Sequence, residues 1–147
     1  MKKKNKSKGK PNVRRKNTSE KLKIAMKNSF FLEASWLISS LLEKRLKNIL
    51  RKVEKPDSVI ANLFDQNIKR IKHLCLNTDN PLLKESFNVQ MMDGLRTWKN
   101  QRNEVMKDML VRHISENRLE RLANDGVRIL KEWNTMYKAF KRNAESK

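Results

Sequence analysis

Between positions 91 and 109, Met91, Leu95, Trp98, Arg102, Val105 and Met109 follow one another at intervals of 4, 3, 4, 3 and 4. That recurrence marks one face of an α-helix. Every member of the stripe is apolar except Arg102. A guanidinium keeps its proton, so setting one in a dry seam is costly unless it reaches an edge, finds a partner or opens onto a site. On a helical wheel with Arg102 at zero, Asn103 falls at about 100°, Arg96 at about 120° and Lys107 at about 140°. These three make a polar ridge along one flank of the apolar face. Arg102 with the ridge is a compact donor cluster suited to phosphate oxygens. Trp98, one turn before Arg102, is placed to stack on the guanidinium or on a base. The same spacing also fits an arginine at a bundle's end whose stem is buried and whose head is wet.

Other chemistry is sparse. Cys75 is the single cysteine, which excludes an internal disulfide and any multi-cysteine zinc site. His73 stands two residues from it and His113 stands alone, a poor metal set. Neither a metal nor a cofactor is expected.

The formal net charge is +19, and it has two sources. Residues 1–17 hold nine Lys/Arg and no acid, and the rest of the chain still carries 26 basic against 16 acidic side chains. A field of that size favours polyanions, meaning nucleic acid or an anionic membrane surface; a lysine-rich composition without a partner is the plainer alternative. The longest apolar run, Trp36 to Leu42, is far too short to span a bilayer, and no lipidation signal follows the basic start. A membrane role is not expected, and a cytoplasmic location is.

The elements that must position the Arg102 cluster are helical. Three glycines and three prolines disfavour turn-rich β architectures. Residues 1–17 carry almost no apolar side chain and are expected to form a disordered basic arm, ahead of a single bundle domain over 18–147. Capping chemistry at Thr18-Ser19-Glu20 opens a long helix to Val53, broken or bent near Asn28-Ser29. Phe31, Ser35, Ile38, Leu42, Leu46, Ile49 and Val53 give it one wide face, and Arg45 falls on the same side. Lys55-Pro56-Asp57 ends it. A second helix follows from Asp57 to Leu76, and Asn77 to Pro81 is a turn cluster with a short helix from Pro81. A third spans Asn88 to Arg112, and Ser115 caps a fourth from Glu116 to Arg142. Gly126, inside that last helix, marks a close helix contact. The whole is an all-α, antiparallel four- to five-helix bundle.

The run Trp98-Lys-Asn-Gln-Arg102-Asn103-Glu-Val-Met-Lys107 resembles the signature helix of the HEPN superfamily (higher eukaryote and prokaryote nucleotide-binding). Its motif is Arg, four residues, then His, very often beginning Arg-Asn. The long first helix around Phe30 to Leu46 and the last around Leu119 to Phe140 fit the same pattern, so the resemblance covers roughly residues 25–142. It implies a small helical bundle, typically a homodimer, acting as a metal-independent endoribonuclease whose histidine assists proton transfer. Here Lys107 stands in the histidine's place. A lysine is ordinarily protonated near neutrality and can donate or attract, but not act as the base. The resemblance then implies Arg102 and Lys107 as an impaired catalytic pair, and Arg96, Trp98, Arg102, Asn103 and Lys107 as a surface that binds RNA or nucleotide phosphate. Two other roles are compatible with the same residues. One is an active endoribonuclease of toxin or defence type, and the other a dimerisation or antitoxin-like scaffold.

Overall fold

The computed structural model describes residues 17–53, 64–76, 81–87 and 89–145. The basic arm up to residue 16, the break at Lys55-Pro56-Asp57 and the turn at 77–80 lie outside the described residues. All regular structure among them is α-helical. The helices are α1 (Thr18–Lys27), α2 (Phe31–Val53), α3 (Phe64–Leu76), α4 (Pro81–Ser86), α5 (Val89–Met109) and α6 (Glu116–Glu145).

The expected break in the first helix is a full stop. Asn28 N–H reaches Ile24 O, Ser29 N–H reaches Met26 O, and Phe30 N–H reaches Ala25 O at 2.8 Å. This is the paired closure of a helix C-terminus that turns through a left-handed residue. Ser29 takes that conformation at φ 61°, although it carries a Cβ, and the strain is local. Ser29→Gly is expected to raise the unfolding free energy by about 1 kcal/mol, read as a higher urea midpoint with an unchanged slope. At the other end of α1 the cap lies one residue ahead of the expected trio. Asn17 Oδ1 accepts from Glu20 N–H at 2.8 Å, which satisfies one of the first turn's free donors. Ser115 caps α6 as its position implies, its Oγ accepting from Arg118 N–H at 3.2 Å.

α2, α3, α5 and α6 form a ring in which α2 packs on α3, α3 on α5, α5 on α6 and α6 on α2; α1 lies against α2, and α4 against α3 and α6. α2 and α5 therefore stand diagonally across the bundle. α5 runs antiparallel to α6, since Asp108 meets Arg118, Trp98 meets Leu122, and Ser86 just before α5 meets Asn143. It also opposes α3, because Phe64 meets Lys99 while Lys72 meets Asp93. α2 and α6 run the same way: Ile38 lies beside Gly126, and Arg45 further on meets Asn134 and Tyr137. The antiparallel relation is thus made by α5 against both its neighbours.

The centre is filled by a few large side chains. Trp98, Trp133, Phe140, Ile38, Leu42, Leu46 and Ile49 are all essentially inaccessible. Phe87 stacks obliquely on Trp133 and Phe140, with centroids 5.2 and 5.7 Å apart. At Gly126, α6 comes close to both α5 and α2. A Cβ there would stand 2.7 Å from Trp98 Cζ2 and 2.9 Å from Ile38 Cδ1, so only glycine fits without displacement.

Candidate phosphate-binding cluster on α5

The stripe that singles out Arg102 is only partly the buried face of α5. Leu95, Trp98 and Val105 are buried as its spacing requires, but Met91 is half-buried and Met109 is exposed. Met92, outside the stripe, is fully buried. α5 is packed by α3 on one flank and α6 on the other, so its buried face is wider than a single seam and drifts along the straight helix.

Arg102 is half-buried. Its Nε is inaccessible and has no hydrogen-bond partner among the described residues. Desolvation pulls its pKa down, and the nearby Glu43 carboxylate on α2 pulls the other way. A second cation beside it was not legible from the wheel. Lys99, one turn back, is half-buried and extends diagonally across the bundle, where its Nζ donates to Ser39 Oγ at 2.8 Å. The same ammonium sits 4.7 Å from the centre of the Phe64 ring on α3. Burial, then the Arg102 charge, push the Lys99 pKa down, against the pull of Glu43 and Asp65. Two cations a turn apart thus share one half-dry junction of α2, α3 and α5. Sequence reasoning missed Lys99 and Ser39 because their partnership joins positions 60 residues apart.

Arg96, Asn103 and Lys107 are all exposed on α5, as a solvent-facing ridge requires. Arg102 is the member of the cluster that enters the interior. Trp98 must be removed from it. The ring is 1% exposed, Nε1 donates to the Leu122 carbonyl at 2.9 Å, and the six-membered ring lies under Gly126. It is packing, not a platform, and no base can reach it. Arg45 is likewise taken up inside: Nε donates to Asn134 Oδ1 at 2.6 Å, and the guanidinium lies 5.3 Å from the Tyr137 ring centre.

No known family, characterised protein or solved structure matches this chain. What the site can do therefore rests on its own geometry. Among the described residues, no group of three His, Cys, Asp or Glu side chains is placed to hold a metal ion, and no helix is long and apolar enough to cross a membrane. Cys75 is buried, which raises its thiol pKa and keeps it from acting as a thiolate nucleophile. A groove of ≈ 630 Å³ opens between α5 and α6, with Leu95, Trp98, Ile129, Trp133 and Met136 among its lining and Gly94 at its margin. It lies on the flank of α5 away from Asn103 and Lys107. The ridge and the groove are separate features.

Proposed function

We propose that this chain is a helical bundle of HEPN-like type that binds RNA or nucleotide phosphate through Arg102, Lys99 and the flanking Asn103 and Lys107, without efficient catalysis. The observation that carries it is the half-buried Lys99–Arg102 pair, with one guanidinium nitrogen lacking a partner among the described residues. The Arg102 charge pushes on Lys99 in a partly dry setting, against the pull of Glu43 and Asp65, and a bound anion adds to that pull. Phosphate oxygens accept charge-assisted bonds from such cations, stronger than neutral ones. The +19 chain charge adds sequence-independent attraction. Catalysis is not part of the proposal, because Lys107 occupies the position from which the resembled family draws its base.

The test is titration of the protein into a fluorescently labelled single-stranded RNA at several salt concentrations. Binding should weaken steeply with salt, and Arg102→Leu should weaken it about tenfold at fixed salt. Binding that ignores salt, or an Arg102→Leu variant that binds as the parent does, sinks the proposal. RNA cleavage without added metal that is lost on Arg102→Leu would instead make the chain an enzyme.

A further inference from the structure

A second feature of the surface is independent of Arg102. Trp36 is 59% exposed, whereas the other two tryptophans, Trp98 and Trp133, are each 1% exposed. It sits on α2, a 23-residue helix whose inward face borders the core. With Ile38 at zero on the inward face, Trp36, Ser40, Lys44, Lys47 and Arg51 all fall between about 160° and about 240°. Ser40, Lys44 and Arg51 are exposed and Lys47 is half-buried. The opposite side of the same helix is the core, with Ile38, Leu42, Leu46 and Ile49 at 0% exposure. The outward stripe therefore reads aromatic, hydroxyl, cation, cation, cation over about 22 Å of helix. Glu33 is the acid on this stripe, and it lies in the first turn of α2, where the helix dipole offsets its charge. Glu43, on the flank, is close enough to influence Lys99 and Arg102.

From this face we infer a docking surface for single-stranded RNA, in which a base stacks on Trp36 and the backbone follows Lys44, Lys47 and Arg51. It builds on the proposed RNA binding but assigns it a different surface. An indole offers a flat π face that an exposed aliphatic residue does not, and here it shares its helix face with three cations, the combination on which single strands dock. Stacking needs unpaired bases, so a single strand uses both halves of the stripe and a duplex only the cations. A second copy of this chain is disfavoured, since a basic stripe would meet a surface of the same sign. A lipid surface is disfavoured because Trp36 is followed at one-turn intervals by Ser40 and Lys44 rather than by the apolar face that an interfacial helix buries. The basic residues of the first 17 positions lead into α1, which packs on α2, and they supply further sequence-independent attraction.

The burial of Trp98 and Trp133 makes intrinsic fluorescence a reporter of Trp36. Titrating the full chain with a uridine oligonucleotide should quench its emission. Trp36→Leu should abolish the quenching and weaken binding, read independently with a labelled RNA, about tenfold. Lys44→Gln, Lys47→Gln and Arg51→Gln together should lower the slope of log affinity against log salt by about 2. The quenching should persist in Arg102→Leu, which separates the two surfaces. RNA binding without quenching, and unaltered by these α2 variants, overturns the α2 surface while leaving the proposed function standing. Absence of RNA binding overturns both. A blue shift with anionic phospholipid vesicles but no response to RNA identifies the face as a membrane contact and overturns the RNA assignment.

Discussion

Gly126→Val should lower the unfolding free energy by about 2–3 kcal/mol, the cost of overpacking a filled core. The added atoms have no free direction. The nearest obstacles are Trp98 Cζ2 and Cε2, at 2.7 and 2.9 Å from the ideal Cβ, in a rigid ring whose Nε1 is held by Leu122. Ile38 Cδ1, at 2.9 Å, is the end of a flexible chain and yields more easily. The indole should therefore account for most of the cost, and a double-mutant cycle in urea measures it. Trp98→Leu alone should cost about 3 kcal/mol through lost burial and the cavity left behind. In that background Gly126→Val should cost far less, giving a coupling of at least about 1 kcal/mol. Additive losses would mean that the ring is not what the new side chain meets. Gly94 supplies a control on the neighbouring helix. Nothing lies within 4 Å of its ideal Cβ, so Gly94→Ala should stabilise by about 0.5–1 kcal/mol through helix propensity alone.

Arg102→Leu should make the protein more stable while making it a poorer binder of RNA. Removing the guanidinium relieves its burial and its repulsion of Lys99, which outweighs the lost attraction of Glu43, and the apolar replacement keeps part of the packing. A gain of about 1 kcal/mol is expected for this half-exposed site, seen as a higher melting temperature. Arg45→Leu is the counterpart and should have the opposite sign. Arg45 is also an arginine on a largely inward face, but Asn134 and the Tyr137 ring satisfy it. Its loss should cost about 1–2 kcal/mol, since Asn134 loses its donor and Tyr137 the nearer of its two cations, Lys141 remaining. Destabilisation by both substitutions would show that Arg102 is a structural element rather than a site retained at the expense of stability.

Local chemistry was legible in the sequence wherever a few neighbouring residues decide it. The stop at Asn28-Ser29, the start at Pro81, the cap at Ser115 and the close approach at Gly126 are each set by one or two side chains acting on nearby backbone or across one contact. Helix direction was not legible in that way. The parallel course of α2 and α6 depends on which faces meet after the connection beyond Val53, and hydrophobic period is indifferent to sense. The cluster was half legible. Arg102 announced itself as a charge among apolar neighbours, but Lys99 looked like one more exposed lysine until Ser39 and Phe64 arrived from other helices. Trp98 was misassigned for a related reason: its position beside Arg102 fits stacking, whereas contact with α6 encloses it. Trp36 lies opposite the face given by Ile38 and Leu42 on the wheel, so its outward position was legible, but one tryptophan on an apolar-rich helix does not by itself mark a site.

The meeting of Ile38, Trp98 and Gly126 also determines when the protein can become a protein. Ile38 belongs to the second helix in chain order, Trp98 to the fifth and Gly126 to the sixth, so this close junction joins segments nearly ninety residues apart in sequence. Distant pairings of this kind slow folding, because the chain entropy of closing the loop is lost before the contact rewards it. During synthesis α1 and α3 cover only part of the apolar faces of α2 and α5, and neither face is fully covered until α6 has left the ribosome. Through that interval a chain this basic, holding exposed leucine and tryptophan beside lysine, is at its most exposed to premature association. Its safe maturation depends on how quickly the last helix arrives.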